Sequence, residues 1–448
     1  MMKKLLLFLA FYTFTIYSFS QTTIITTTIE TTEKNSQSAH LGLSPQLTYS
    51  MMEQNQNLRK VETFMEMKSD GLLKDRSLNF GFNIIGIMNY QNSNRDSKFG
   101  YLMRHPTSNN QIGEVASEAV IHSAQLSVAS SINNWLSAYG ELLYSPEQSF
   151  GTGTITSLGR NQVEFRKGIL FVGNLEKFPI FAALGKMDIA FGQMGSVSPF
   201  TNSTMWHAFG PLAYGLQLGF KKYGLSINLT AIQGGSQFRA ANVSNQGTAV
   251  PSKLDNFAAD ISYTLDISSD ISLTTGASYL KGSTYCHPFP VVHFMPCDVE
   301  NPATALYGNL RVGNSIFLKG SYAITDDVWP GTENPALPFA ANKVSSLDLG
   351  GSYTINPDAD INWTLSAEFS NFVAGPEGSP WERQNQLVFG VNAQVERTNR
   401  LFFELIKVDG YSPLNFISGG NNPDDPTFTH SDADARAWVF VLGGMLSI

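Results

Sequence analysis

Charged side chains recur along this chain on one parity of its extended segments: Glu141, Glu164, Arg166, Lys186, Asp188, Asp260, Asp266, Arg311, Lys319, Asp348, Glu368 and Glu396. Both signs are present, which suits a wall facing water: opposite charges on facing walls set a transverse field that orients a polar solute. Glu164, Arg166, Lys186, Asp188, Asp260, Arg311, Lys319, Asp348, Glu368 and Glu396 are thus the candidate lining of a lumen. A second set, Phe200, Trp206, His207, His287 and Phe289, puts rings and imidazoles in loops, where they suit ligand capture or constriction of a pore. The two cysteines, Cys286 and Cys297, bracket the proline-stiffened CHPFPVVHFMPC. In an oxidising compartment that spacing favours a disulfide. As metal ligands, Cys286, His287, His293 and Cys297 have suitable types without a familiar spacing, so no metal is expected. HExxH, GxSxG and P-loop motifs are all missing, so neither an enzyme nor a cofactor is expected.

The elements that carry these residues have period two. From Ile361, the residues Trp363, Leu365, Ala367 and Phe369 share one parity, while Asn362, Thr364, Ser366, Glu368 and Ser370 fill the other. Phe257 to Ile267, Leu225 to Leu229 and Leu387 to Val395 alternate in the same way. Extended backbone projects such sets to opposite faces. Sixteen strands are predicted between 76 and 448, at roughly 76–90, 119–131, 135–145, 162–173, 179–193, 210–221, 223–233, 254–267, 270–281, 303–313, 314–325, 342–356, 360–372, 384–397, 400–411 and 435–448. Tight turns alternate with connections of about ten residues or more, the rhythm of a transmembrane barrel with short periplasmic turns and long outer loops. The fold class read here is all-β: a sixteen-stranded antiparallel transmembrane β-barrel with a short N-terminal periplasmic segment. Tyr90, Tyr144, Phe191, Tyr279 and Trp363 are candidates for its interfacial aromatic girdles.

Composition agrees. Hydrophobic residues make up 42% and charged ones only 15%, against about 25% charged in soluble domains. The net charge of -8 excludes nucleic acid as the natural partner. Lys3 and Lys4 precede an apolar run from Leu5 to Tyr17, with Ser18 and Ser20 spaced as a cleavage site, so residues 1–20 read as a signal peptide. Residues 21–75 stand outside the barrel pattern, and Leu58, Val61 and Met65 lie at helical spacing. This segment reads as periplasmic and part helical, with a periplasmic helix, an oligomerisation element, a small stopper in the pore and a partly ordered leader as alternatives, and is too short for the large plug of a TonB-dependent receptor. Residues 76–448 are the barrel, placed in a Gram-negative outer membrane with its lipid as partner.

The stretch LGKMDIAFGQMGSVSPFTNSTMWHAFGPLAYGLQLGF resembles the LbtU family of siderophore porins in Gly185-Lys186, Phe191-Gly192, Pro199 with Thr201, and Gly219-Phe220, with Ser198 where that family carries an acidic residue. The resemblance implies uptake of a ferric siderophore without TonB and transfers no ligand residues. From the residues alone, a channel for a small polar solute is expected. A general diffusion porin and a barrel-anchored surface binding protein stand as alternatives.

Overall fold

The computed structural model of the chain describes residues 40–52, 54–94, 114–145, 149–150, 158–159, 162–237, 254–286, 299–329, 340–378, 382–395, 398–410, 421–422, 425–429 and 435–448. Sixteen strands close into one barrel. They are β1 (Ser77–Ser93), β2 (Val115–Ser131), β3 (Leu136–Ser145), β4 (Gln162–Gly173), β5 (Ile180–Asp188), β6 (Leu212–Lys222), β7 (Leu225–Gln237) and β8 (Leu254–Ser268). There follow β9 (Ile271–Leu280), β10 (Ala303–Val312), β11 (Ile316–Trp329), β12 (Asn342–Ile355), β13 (Ile361–Val373), β14 (Arg383–Val395), β15 (Asn399–Asp409) and β16 (Arg436–Ser447). Neighbours pair antiparallel, and β16 returns to β1 from Asn83↔Ser447 to Ser93↔Ala437. Closure leaves no unpaired edge for lipid to meet.

Alternation decides which face is which. On β13, Trp363, Leu365 and Phe369 are exposed on the outside, while Ser366, Glu368 and Ser370 are buried inside. Exposed apolar side chains recur around the barrel, with Phe82, Leu142, Leu184, Leu229, Leu306 and Phe440 among them. A belt of that extent faces hydrocarbon rather than water. No described helix is long and apolar enough to cross a membrane. The apolar belt lies on the strands. The chain is a multi-pass outer-membrane barrel.

Both ends of the barrel chain, Ser77 and Ser447, lie at the end of the short turns. One of these is the β6–β7 hairpin, where Tyr223 and Gly224 have φ of 56° and 77°, the paired positive values of a turn that matches strand twist.

Two segments enter the barrel. A short strand, His40–Leu43, runs parallel to β1 from His40↔Ser77 to Leu43↔Phe80. It takes the edge of β1 just past the point where Ile448 stops pairing with Phe82. The chain then turns inward through α1 (Pro45–Met51) and α2 (Lys60–Ser69). Gly81 makes the first contact possible, because a Cβ there would lie 1.7 Å from Thr48 Oγ1. At ten residues α2 is too short to hold itself in water. Its helix ends where Gly71, at φ 80°, lets Leu72 N reach Met67 O at 3.0 Å.

The second insertion is the connection between β5 and β6. Strand β5 stops at Asp188 instead of continuing to 193, because the chain leaves the wall and folds across the lumen, forming α3 (Thr204–Phe209) on the way. Ser203 caps α3 by accepting from Trp206 N at 3.1 Å. Phe191 is fully buried in this segment and belongs to the interior, not to an interfacial girdle.

Candidate solute passage in the barrel lumen

The N-terminal segment is fastened to the wall by charge and by packing. Arg59 binds Asp260 on β8 through both carboxylate oxygens, at 2.7 and 3.0 Å, and stacks on Tyr307 of β10 at 4.5 Å. Ser278 and Tyr307 also donate to Asp260, at 2.7 and 2.9 Å. Phe64 stacks on Phe171 of β4 with ring centres 4.1 Å apart and meets the edge of Tyr139 on β3 at 6.4 Å. Lys60 lies 3.4 Å from Asp188, which Lys167 also binds at 3.0 Å.

Glu62 accepts from Lys221 at 2.5 Å, from Ser226 at 2.6 Å and from Asn228 at 3.2 Å. Burial pushes the Glu62 carboxyl up, but the charge of Lys221, hydrogen bonds from Lys221 and Ser226, and Arg59 together hold it below the usual range. Glu66, also paired with Lys221, lies above that range because of burial, with Glu62 and Asp70 adding repulsion.

The inward loop is held by carboxylates of the opposite wall. Glu404 on β15 accepts from Phe200 N at 2.7 Å and Thr201 N at 3.0 Å, and from the Thr201 hydroxyl. Glu368 on β13 accepts from Ser196 Oγ and Val197 N, both at 2.7 Å. Lys319 on β11 sits between Asp348 and Glu368, 3.3 Å from the latter, and donates to Gly195 O at 2.5 Å. Gly390 leaves room for Pro199, whose Cδ lies 2.4 Å from where a Cβ would stand.

The two insertions meet. Ser196 N donates to Gln56 Oε1 at 3.1 Å, and Gln54 Nε2 donates to Phe200 O. A continuous band of side chains therefore crosses the lumen from Phe171 and Asp260 to Glu368 and Glu404. Open space lies beside it. A polar cavity of about 470 Å³ is lined by Arg311, Ser352, Thr354, Thr364, Asn392 and Arg400 from β10 and β12 to β15, with Tyr49 and Ser196 to Ser198 from the insertions. It shares Tyr49, Ser196, Ser198 and Arg400 with a smaller cavity of about 110 Å³ between the two insertions.

The expected lining residues separate into groups. Lys319, Asp348 and Glu368 are buried, so they serve as anchors and do not line water. Their opposite charges lie on neighbouring strands in direct contact, so they neutralise one another where a field between facing walls was expected. Buried ions require such pairing. Asp188 and Asp260 are equally buried against the N-terminal segment. Arg166 is buried and 3.4 Å from half-buried Glu164. Arg311 opens into the cavity.

Lys186 was expected inward, yet it pairs in register with Tyr214 beside exposed Leu184 and donates to Phe165 O at 3.2 Å on the outer side. The alternation breaks between it and Asp188, where the strand ends. Phe200, Trp206 and His207 lie inside the barrel and are all buried, Phe200 between Phe402 at 5.5 Å and His122 at 4.7 Å. They pack the inserted loop and are not presented outside. Cys286 is buried. Glu396, His287, Phe289 and Cys297 lie outside the described residues.

Arg59, Glu62, Lys167, Arg400 and Glu404 were not anticipated. Lys167 faces inward because Arg166 is an extra residue in β4, where Glu141↔Lys167 is followed by Leu142↔Phe165.

No protein-family model matches the chain, and no curated protein does. Solved structures match in shape. OprB of Pseudomonas putida aligns with a TM-score of 0.52 at 9% identity, over 83% of this chain and 94% of that one. The outer membrane channel DcaP of Acinetobacter baumannii gives 0.48 at 13%, over 83% and 97%. An anion-selective porin from Comamonas acidovorans gives 0.48 at 10%, over 83% and 99%. At 9% identity the likeness to OprB shows the fold alone, a porin-like barrel.

Proposed function

We propose that this protein is a porin-like channel for small polar solutes whose N-terminal segment is a docked stopper, not an enzyme. The observation that carries this reading is the band joining Arg59 and Phe64 to the wall on one side and Gln54 and Gln56 to the inward loop on the other. The band crosses the lumen beside the cavity, and on this reading solute flow depends on its movement. Planar-bilayer conductance of the full chain, compared with a variant lacking residues 45–73, tests this. Low or intermittent conductance that rises severalfold in the variant supports the stopper. Equal, large, ohmic conductance in both makes the protein a general diffusion porin, and closed behaviour in both with loop-dependent adhesion makes it a surface binding protein.

TonB-independent passage of a ferric siderophore is the finer reading, supported by the resemblance in residues 185–220. A chelate of that bulk needs the stopper to leave the lumen. Normal iron-chelate uptake in a deletion strain under iron starvation counts against it. We also propose that Cys286 and Cys297 form a disulfide in the β9–β10 loop, supported by the compartment. Thiol labelling of the unreduced, denatured chain should find none.

A further inference from the structure

We propose that the cavity at the short-turn end is a binding site for a small oxyanion solute, one carrying carboxylate or phosphate groups, held between Arg311 and Arg400. The inference deepens the channel reading and rests on it. It starts from charge compensation. On the inner wall Arg166 faces Glu164 at 3.4 Å, Lys167 faces Asp188 at 3.0 Å, Lys221 faces Glu62 at 2.5 Å and Lys319 faces Glu368 at 3.3 Å. Among the described residues, Arg311 and Arg400 face no carboxylate, and both line the same cavity.

The way each is held leaves its donors available. Arg311 lies over the ring of Phe317 at 4.6 Å, and Arg400 over that of Tyr49 at 5.1 Å. Stacking uses the flat face of a guanidinium and leaves its in-plane N–H groups for a planar, bidentate acceptor. Arg400 spends two of them on neutral acceptors, Pro199 O at 3.1 Å and the Tyr49 hydroxyl. Around the pair stand hydroxyls and the amides of Asn314, Asn392 and Gln394, with no carboxylate in the lining. The hydroxyl of Ser198 is buried and has no hydrogen-bond partner among the described residues, so a donor also stands ready. About 470 Å³ is the scale of a small-metabolite site.

Titration calorimetry on the full detergent-solubilised chain at low salt, with succinate, inorganic phosphate and neutral ribitol as probes, tests the site. Binding of either anion but not ribitol is expected, at least tenfold weaker in Arg311→Gln and in Arg400→Gln. Arg311→Lys, which keeps the charge and loses the fork, should fall between. Absence of anion binding, or binding unchanged in Arg311→Gln, overturns the proposal. Arg311 stacks on Phe317 and holds neither insertion by an ion pair, so its variant is the cleaner test, and an unchanged heat-resistant barrel in detergent shows that it still folds. A chain that conducts once the stopper is displaced but binds neither anion loses this inference and keeps the channel. Anion binding without conductance in any state keeps the site and loses the channel.

Discussion

Arg59, in the link before α2, and Asp260, on β8, are 201 residues apart in sequence and share a two-pronged ion pair at 2.7 and 3.0 Å that ties the N-terminal segment to the barrel wall. Removing one partner strands a buried charge, at a cost of about 3–5 kcal/mol. Arg59→Ala should therefore release the stopper and raise bilayer conductance. A double replacement by apolar residues should be milder than either single one, because no charge is left unpaired. Single variants that conduct like the wild type would remove this pair from the account.

Phe64 is the apolar counterpart. Stacked on Phe171 and fully buried, it should cost about 3–5 kcal/mol on truncation to Ala. The loss falls on docking, not on the barrel. Limited proteolysis should cut Phe64→Ala between 44 and 73 while the barrel stays resistant to heat in detergent. Equal protection in variant and wild type would contradict the packing argument.

Glu404→Gln tests the clamp on the inward loop. The carboxylate serves Phe200 N, Thr201 N and the Thr201 hydroxyl together. An amide keeps one acceptor oxygen, and the donors left over cost about 1–3 kcal/mol. More frequent current fluctuations are expected, with unchanged barrel stability.

Acid should act on the stopper in two stages. Glu66 lies above the usual carboxylate range and takes its proton first as pH falls, which relieves its repulsion with Glu62 and Asp70 and favours docking. Glu62 lies below that range, so its contribution is complete above the ordinary carboxylate pKa and is lost as pH falls through its own lower value. Conductance should stay low through mild acid and rise only beneath the ordinary carboxylate range. In Glu62→Gln the rise should already be present at neutral pH.

The wall was legible because lipid and lumen impose opposite polarity on alternate residues: Trp363, Leu365 and Phe369 outside, Ser366, Glu368 and Ser370 inside. Where the lumen is filled by protein, that code fades. Glu404 lies between inward Phe402 and Ile406, both apolar because they pack against inserted chain, so β15 gives no polar face to read. The bulge at Arg166 hid Lys167 by reversing parity. One signal was available for the inward loop: Ile189 to Pro211 contains no Asp, Glu, Lys or Arg, a composition suited to burial. Helical spacing pointed to α2, but its partners at Asp260, Phe171 and Lys221 are non-local and leave no trace in sequence order.

The stopper is tested most directly by rebuilding its fastening. In a chain with Cys286 and Cys297 replaced by serine, Arg59→Cys with Asp260→Cys removes the ion pair and offers two thiols for a short bifunctional cross-linker. Conductance should rise in the uncross-linked variant, by less than in Arg59→Ala, and return to the low wild-type level when the two thiols are bridged. Conductance that is the same in wild type, variant and bridged variant would contradict the account.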